Sequence, residues 1–439
     1  MARTDGRRLT PADSAWLRME LPENLMTING VVKLKERLSY ERFCRMVEEK
    51  LLVHDRFRQR IQPPRGPLGR PRWVERDFSL ADHVVRSELP VGAGKRELQD
   101  FVSAEMSRPL AIDRPLWQFH YFEDFLGGSA LVGRIHHCIG DGIALMKVVL
   151  SMADPVVDDS VPTVGHSESV GAHHREMLGR GAKALAALKT GGSTVWSLGR
   201  LFTLRADPRT RFKGDLVPRK LAVWSDEIPL AEVKAIGKRL GGTINDVLLT
   251  AAAGALRGYL LRHGEVPESL RLRAVVPVNI RPPEDVVLGN KFGLVFLSLP
   301  VGVRRVGRRL RELKANMDQL KRSPEAFVVY GLLRLFGNTN AAIQSKIVKL
   351  LSKNASAVMT NVPGPRAPIA FAGSEIEHFM FWVPVSGRLG LGLSILSYNG
   401  QVRVGITTDQ NLVPDPEALV EEFHMALEEM KREAAGPLP

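Results

Sequence analysis

Two adjacent histidines, followed by an aspartate between glycines, are the first residues in this 439-residue chain whose types and spacing could do chemistry. They lie in the segment GRIHHCIGDGIALMKVV, which contains His136, His137 and Asp141. An imidazole titrates near neutral pH, so one histidine of the pair could act as a general base. The aspartate could fix the loop by a salt bridge or a hydrogen bond, and its flanking glycines permit close approach of a ligand or another backbone segment.

The expected strand geometry limits what this pair can do. Successive side chains of a β-strand point to opposite faces, so His136 and His137 should diverge. Divergence disfavours a shared zinc ion, which needs converging ligands. Cys138 shares a face with His136, which also disfavours a nucleophilic pair of Cys138 and His137. A second pair, His173–His174, lies in a polar segment without a strand, an aspartate or glycines of this pattern. We interpret its side chains as exposed to solvent or hydrogen-bonded, without a catalytic role.

The elements around the motif are expected to place the pair at a strand end and the aspartate at a helix start. Trp117–Phe125 and Ser129–Cys138 alternate like two strands joined by a turn at Gly127–Gly128. The segment from Gly142 to Ala153 is apolar and compatible with a helix. Upstream, Ser39–Leu52 has helical spacing behind a serine cap.

The rest of the chain also alternates between strands and helices. We predict strands at Leu25–Leu34 and Leu270–Arg281, helices at Lys95–Leu110, Ile228–Gly241 and Ile244–Gly264, and a hairpin about Asn399–Gly400 within Leu391–Asp409. A linker rich in Pro, Asp and Ser, Asp154–Pro162, separates the two halves. The pattern predicts a two-domain α/β architecture.

Composition predicts a folded globular protein, because 44% of the residues are apolar and 25% are charged. The two cysteines, Cys44 and Cys138, lie in separate apolar segments, so we expect no disulfide scaffold and a reducing, intracellular compartment. We find no signal peptide and no run of about 18 apolar residues, and therefore expect no membrane-spanning helix.

The net charge of +13 is unevenly placed. His166–Lys220 contains eleven basic and four acidic residues, and a second basic cluster covers Val303–Lys314. Such surfaces suit nucleic acid, anionic lipid or a phosphorylated ligand. Nucleic acid is disfavoured, because no known binding motif is present and the chain has only five tyrosines and six tryptophans. Ala184–Phe202 and Tyr330–Leu351 mix apolar residues with cations, as a helix at a lipid surface would.

Further short motifs accompany the histidine pair. They are Pro-Leu-Trp at Pro115–Trp117, Asn-Asp at Asn245–Asp246, AVVPVNIRPPED followed by Gly289–Asn290, TNVPGP at Thr360–Pro365, and SYNGQVRVGITTD at Ser397–Asp409. His-His-x-x-x-Asp-Gly resembles the active-site motif of the chloramphenicol acetyltransferase-like superfamily. With the other motifs, nearly the whole chain resembles the bacterial and plant wax ester synthase/diacylglycerol acyltransferase family. It departs at Thr210–Trp224, which leaves the choice of substrates open.

The resemblance implies a specific form of the α/β fold. It implies two chloramphenicol acetyltransferase-like domains, each a mixed sheet flanked by helices, with the active site in a channel between them. We accordingly expect an N-terminal acyltransferase domain at residues 1–154, a basic amphipathic linker at 155–220, and a C-terminal domain at 221–439.

The resemblance also assigns roles to individual residues. It makes His137 the base, with His136, Asp141 and Gly142 completing the catalytic motif. It offers Asn245, Asp246, Thr360 and Asn361 as substrate-binding or oxyanion residues and Pro115, Leu116 and Trp117 as a structural motif. From the sequence alone, Asn245 could equally cap the following helix, and Asp246 could stabilise the start of that helix electrostatically. No metal site is expected.

The implied activity is an acyl-CoA-dependent O-acyltransferase that forms triacylglycerol from diacylglycerol, wax esters from long-chain alcohols, or both. Acyl-CoA is the co-substrate, with no other cofactor. The implied location is cytoplasmic, on the inner face of the plasma membrane or on lipid droplets. Two alternatives stay open: an acyltransferase of the same superfamily that uses a carrier protein, as condensation domains do, and a lipid-binding protein without turnover.

Overall fold

The computed structural model describes residues 6–64, 66, 69–156, 206–281, 288–321, 329–331, 348 and 352–436. Helices and strands alternate along these residues. The helices are α1 (Pro11–Met19), α2 (Tyr40–Met46), α3 (Lys95–Met106), α4 (Gly142–Met152), α5 (Leu230–Leu240), α6 (Ile244–Arg262), α7 (Val306–Lys321) and α8 (Pro416–Ala435). The strands are β1 (Thr27–Leu34), β2 (Gln59–Gln62), β3 (Arg72–Glu75), β4 (Val84–Arg86), β5 (Trp117–Phe125), β6 (Gly128–His136), β7 (Ala153–Pro155), β8 (Lys220–Trp224), β9 (Ile228–Pro229), β10 (Leu272–Asn279), β11 (Phe292–Leu299), β12 (Ala357–Pro363), β13 (Ile369–Phe371), β14 (Ser374–Trp382), β15 (Leu391–Tyr398) and β16 (Gln401–Asp409).

Local sequence signals account for several of these boundaries. The hydroxyl of Ser39 accepts the N–H of Arg42 and caps α2, whose course continues as one π-helical turn. Helix α5 ends at Leu240 and is capped by Gly241, which has a φ of 76°. The turn between β15 and β16 has positive φ at Asn399 and Gly400, as a two-residue hairpin of this type requires.

The turn between β5 and β6 lies one residue earlier than predicted. Leu126 and Gly127 have the positive φ values, 50° and 81°, and Gly128 already belongs to β6. A Cβ atom on Gly128 would lie 2.0 Å from the carbonyl oxygen of Leu34. The second glycine is therefore required for close strand approach rather than for the turn.

The first sheet has the strand order β4-β5-β6-β1-β14-β13-β7. β4 and β5 are parallel, and the other neighbours are antiparallel. Strand β1 lies between β6, which ends in the histidine motif, and β14, which comes from the C-terminal half of the chain. The first sheet is thus completed by a segment more than two hundred residues downstream of its other central strands.

The second sheet has the order β11-β10-β12-β15-β16-β8, and β9 also pairs with β16. β12 is parallel to both β10 and β15, and the remaining pairs are antiparallel. One large apolar core lies mainly under the first sheet and another under the second, where helices α6 and α8 pack together. The expected α/β fold, with two lobes that each contain a mixed sheet flanked by helices, is confirmed.

Part of the sequence-based interpretation lies outside the described residues. This applies to the pair His173–His174, to Ala184–Phe202, to nearly all of Tyr330–Leu351 and to most of the expected linker. The domain boundaries stay a prediction, with residues 369–382 pairing in the first sheet. Both cysteines are free thiols. Across the described ranges, the helices are all too short or too polar to span a bilayer.

Candidate active site

The histidine pair lies where strand β6 ends. His136 is the last residue of β6 and pairs with Thr27 of β1, and His137 follows in a turn. The two side chains diverge, because Nε2 of His136 approaches Glu20, whereas Nδ1 of His137 approaches Asn290. The pair therefore divides into two separate environments, as strand alternation predicts.

The side chain of His136 is part of the scaffold. Its Nδ1 accepts the backbone N–H of Cys138 (3.0 Å), and its Nε2 lies 3.0 Å from a carboxylate oxygen of Glu20. Because an N–H group occupies Nδ1, the ring proton is on Nε2, toward the carboxylate. His136 thus braces the turn that carries His137.

The ring of His137 lies between residues of both lobes. Trp16 of α1 stacks on it, with ring centroids 4.1 Å apart and an interplanar angle of 12°. Phe292, the first residue of β11, lies 5.7 Å from it on a centroid basis. Nδ1 is 2.9 Å from Oδ1 of Asn290, which precedes β11 in the second lobe. An amide oxygen only accepts, so Nδ1 of His137 carries the proton and Nε2 keeps its lone pair.

Burial controls the charge of His137. Only 5% of the residue is exposed, and the loss of hydration lowers its pKa to about 4, although Asp141 and Asn290 act in the opposite direction. The ring is therefore neutral at physiological pH. A neutral imidazole with the proton on Nδ1 can accept a proton at Nε2.

Asp141 has two structural functions. Its Oδ1 accepts the N–H of Ala144 and caps α4. Its Oδ2 accepts Nη2 of Arg281 and the backbone N–H of Lys291, both at 2.9 Å. Arg281 also donates to the carbonyl of Gly289. The aspartate therefore joins the histidine turn to the segment between β10 and β11, as the prediction of a loop-fixing salt bridge or hydrogen bond requires.

The glycine of the motif is not needed for an unusual backbone conformation. Gly142 begins α4, and its φ is outside the positive range. A Cβ atom at Gly142 would meet no atom of the described residues within 4 Å. Gly142 instead lines an apolar cavity between the first sheet and α4.

The Pro-Leu-Trp motif packs against the histidine strand. Leu116 and Trp117 are buried, and the carbonyl of Leu116 accepts the backbone N–H of His136. The indole N–H of Trp117 donates to the carbonyl of Phe57 (2.8 Å). These contacts, with Pro115 before them, support the structural interpretation of the motif.

The four candidates in the second lobe have different surroundings. Thr243, not Asn245, caps α6, and the carboxylate of Asp246 accepts the N–H and O–H of Thr243. Nδ2 of Asn361 donates to Oδ1 of Asn245 (2.9 Å), while Thr360 is buried in β12. Asp246 is therefore a capping residue, and Asn245 and Asn361 form a polar pair.

Three residues near the histidines, two in α1 and one directly after it, were not predicted from the sequence. They are Asp13, Trp16 and Glu20, and they contact Asn290, His137 and His136 respectively. The signal for α1 was present, since Thr10 is a good N-cap and Pro11 is favoured in the first turn. Nothing local indicates that this helix reaches the histidines. Arg281 was also missed as the ionic partner of Asp141.

An apolar cavity of about 120 Å³ lies between the first sheet and α4. It is lined by Gly142, Leu145, Met146 and Val149 of α4 and by residues of β1, β5, β6 and β14. Among the described residues that line it, Asn29 has the only polar side chain. Such a lining suits a hydrocarbon chain.

Comparison with known families gives two matches in chain order. Residues 9–248 match the model of the wax ester synthase/diacylglycerol acyltransferase catalytic domain. Residues 288–431 match the model of the C-terminal domain of the same family.

Individual proteins give the same result. The chain is 27% identical to a Mycobacterium tuberculosis protein named as a diacylglycerol O-acyltransferase, over 96% of this chain and 90% of the relative. The solved wax ester synthase/diacylglycerol acyltransferase from Marinobacter aquaeolei VT8 superposes with a TM-score of 0.72 at 23% identity, covering 98% of this chain and 100% of that one. The first condensation domain of the calcium-dependent antibiotic synthetase superposes with a TM-score of 0.64 at 15% identity, covering 100% and 98%.

Proposed function

Because this chain belongs to the wax ester synthase/diacylglycerol acyltransferase family and is an O-acyltransferase, we propose that it uses His137 to transfer an acyl group from acyl-CoA to a lipid alcohol. The acceptor is a diacylglycerol, a long-chain fatty alcohol or both. The products are then triacylglycerol, wax ester or both, together with free CoA.

In the proposed reaction, Nε2 of His137 removes the proton of the acceptor hydroxyl while its oxygen attacks the thioester carbon. The new C–O bond forms, the C–S bond breaks, and the imidazolium returns the proton to the departing sulfur. The two substrates meet at one base, so the reaction requires neither a covalent acyl-enzyme nor a cofactor beyond acyl-CoA.

The observation that carries this proposal is the contact between His137 Nδ1 and Asn290 Oδ1 at 2.9 Å. It supports a base role because it leaves the lone pair of Nε2 available. The low pKa of the buried ring supports the same role, since the base is unprotonated before the alcohol arrives.

The cavity between the first sheet and α4 supports a long acyl group as part of the substrate. Gly142, the residue after Asp141, is one of its lining residues, and apart from Asn29 the described side chains that line it are apolar. Burial of each methylene contributes about 0.8 kcal/mol, so such a surface favours a long chain over acetyl. We propose that the acyl chain enters this cavity while the thioester stays near His137.

The charge that develops on the thioester oxygen needs hydrogen-bond donors. Asn245, Thr360 and Asn361 stay our candidates. An amide NH₂ group has two donors, and Asn361 uses one of them toward Asn245. The pair can therefore offer further N–H groups to an oxyanion.

The oily acceptors and products favour contact with a lipid surface. We propose peripheral association with the cytoplasmic face of a membrane or with lipid droplets, supported by the excess of basic residues. Flotation with liposomes containing anionic lipid tests this proposal. Protein that stays entirely in the bottom fraction would exclude it.

Activity is tested with purified protein, palmitoyl-CoA and either dioleoylglycerol or hexadecanol, by following release of the CoA thiol. We expect thiol release that depends on the alcohol, and we expect His137→Ala to abolish it. His424→Ala, a partly exposed histidine on α8, is the matched control and should keep wild-type turnover. Full turnover by His137→Ala would refute the base assignment.

The same assay separates the alternatives. Transfer from an acylated carrier protein, with none from acyl-CoA, would favour the condensation-type reaction. Binding of lipid without thiol release would favour a lipid-binding protein. A panel of alcohol acceptors then ranks the substrates.

A further inference from the structure

We propose that Asp13 is a positioning residue for acyl transfer, acting through Asn290 to keep the proton of His137 on Nδ1. This rests on the proposed function in one respect, namely that Nε2 of His137 is the base. Asp13 touches neither the histidine ring nor, in this proposal, the substrates.

The orientation of the Asn290 side chain is determined by its acceptors. Nδ2 donates to Oδ1 of Asp13 (2.9 Å) and to the backbone carbonyl of His137 (2.8 Å). The backbone N–H of Asn290 also donates to Oδ1 of Asp13 (3.1 Å). Both acceptors require the NH₂ end of the amide, so Oδ1 of Asn290 must face Nδ1 of His137. Only a protonated Nδ1 can complete that contact.

Asp13 is itself held in place. It is 0% exposed, and Nη2 of Arg56 lies 3.0 Å from its Oδ2. Nη1 of Arg56 donates to the carbonyls of Cys138 (3.1 Å) and Ile139 (2.8 Å), directly after the histidine pair. The carboxylate therefore has a fixed cation on one side and the amide of Asn290 on the other. Because a carboxylate only accepts, this network allows one orientation of the amide.

The position of Asp13 in the fold fits this role. It lies in the first turn of α1, where its backbone N–H donates to the Thr10 side chain, and Trp16, one turn later, stacks on His137. Asn290 comes from the second lobe. The tautomer of His137 is thus determined by a contact between α1 and the segment that precedes β11.

The variant Asp13→Asn keeps the shape of the side chain and removes one of the two acceptors that orient the Asn290 amide. An asparagine can turn its NH₂ group toward Asn290, so that only the carbonyl of His137 still favours the original orientation. In the molecules in which the Asn290 amide rotates, its Nδ2 faces Nδ1 of His137. Nδ1 becomes the acceptor, the proton moves to Nε2, and the lone pair needed for catalysis is lost.

The direct test is NMR of the full-length protein labelled with ¹⁵N-histidine, which distinguishes the two tautomers by the ¹⁵N shifts of the ring. The His137 signals are assigned by their loss in His137→Ala. We expect the Nδ1–H tautomer in the wild type and a substantial Nε2–H population in Asp13→Asn. In the thiol-release assay, kcat of Asp13→Asn should fall by about 10- to 100-fold, with the KM for palmitoyl-CoA within about twofold.

Two comparisons separate this proposal from a loss of folding. Asp77→Asn, at an exposed position, should leave the tautomer and kcat unchanged. The near-UV circular dichroism spectrum of Asp13→Asn should match that of the wild type, which would show that its lower kcat is not a loss of folding.

Several outcomes would overturn the proposal. An Nε2–H tautomer in the wild type would overturn it. An Asp13→Asn protein that keeps the wild-type tautomer and the wild-type kcat would also overturn it. If the wild type has the Nε2–H tautomer, Nε2 has no free lone pair, and its assignment as the base fails together with the role of Asp13. If the wild type has the Nδ1–H tautomer, Asp13→Asn changes nothing and His137→Ala is inactive, the base assignment stands and only the role of Asp13 falls. If His137→Ala is fully active, the base assignment fails as well.

Discussion

His137 has a fixed tautomer and an uncharged ring, and different neighbours provide the two properties. Asn290 determines which nitrogen carries the proton, whereas Trp16 and the surrounding protein exclude water from the ring. Exclusion of water disfavours the imidazolium, which lowers the pKa to about 4. The fraction of active base should therefore stay constant over a wide range of pH.

A pH profile tests this at the scale of the residue. The protonated ring is inactive as a base, so kcat/KM for wild-type protein should stay level from about pH 8 to about pH 5 and fall only near pH 4. Trp16→Leu removes the stacked ring and admits water, so the pKa should rise and the acid limb should move toward the ordinary histidine value of about 6.5. A wild-type limb already near pH 6.5 would contradict the buried, neutral base.

The sequence identifies some residues of this site and not others, for a physical reason. His136, His137 and Asp141 are neighbours in the chain, so strand alternation and a helix start predict their arrangement. Asp13 and Asn290 are hydrogen-bonded in the fold but are 277 positions apart in sequence. Neither residue type is unusual, and only the packing of α1 against the second lobe brings them together.

At the scale of the element, α4 begins at a residue that also binds the second lobe. Asp141 and Arg281 are both buried, and their side chains meet at 2.9 Å. In Asp141→Asn the cap acceptor remains, but an NH₂ group faces the donors of Arg281 and Lys291. Loss of a buried ionic partner should lower the free energy of unfolding by about 3–5 kcal/mol.

Chemical denaturation measures this loss. Asp124→Asn is the matched control, because Asp124 pairs with Arg37 on the surface, where an ion pair contributes less than about 1 kcal/mol. Equal effects of the two variants would contradict the anchoring role of Asp141.

The opposite faces of α4 offer a test of the acyl cavity. Leu145 is buried and lines the cavity, whereas Leu150 is exposed. Leu145→Trp should fill the cavity and shift the kcat/KM optimum toward shorter acyl-CoAs, measured from octanoyl- to stearoyl-CoA. Leu150→Trp adds the same ring outside the cavity and should leave the optimum unchanged. An unchanged preference in Leu145→Trp would place the acyl chain elsewhere.

Elements with strong local signals were predictable, and elements defined by distant partners were not. Ser39 is of a residue type that favours a helix start, and Asn399–Gly400 is a pair that favours a two-residue hairpin turn. The predicted helix start and the predicted hairpin are both confirmed. The Gly127–Gly128 turn was misplaced by one residue, because Gly128 is required by the neighbouring carbonyl of Leu34. This close contact cannot be predicted from the sequence, because it forms only when β1 pairs with β6.

At the scale of the molecule, the two lobes share chain segments as well as a site. Strand β14 lies in sequence between β12 and β15 of the second sheet but pairs with β1 in the first. Its Trp382 packs against Trp224 of β8, with ring centroids 5.5 Å apart, and donates to the carbonyl of Val223. A period-2 pattern predicts a strand at β14 but not its partner, so this exchange could not be predicted from the sequence.

The two sheets are in close contact at Gly405 of β16, and this contact gives a test of their coupling. A Cβ atom there would lie 2.7 Å from Cε of Met380 and 2.9 Å from Nε1 of Trp382, both in β14. Gly405→Ala should therefore separate the two sheets locally and lower the free energy of unfolding by about 1–3 kcal/mol. Because β14 belongs to the first sheet and β16 to the second, we expect both lobes to unfold together in one transition at a lower Tm. Near-UV circular dichroism and tryptophan fluorescence monitor this transition. Gly66→Ala, where a Cβ atom meets no atom of the part of the chain that the structure describes within 4 Å, should leave Tm unchanged. Two separate transitions in Gly405→Ala would mean that the lobes are stable independently and that the contact at β14 does not couple them.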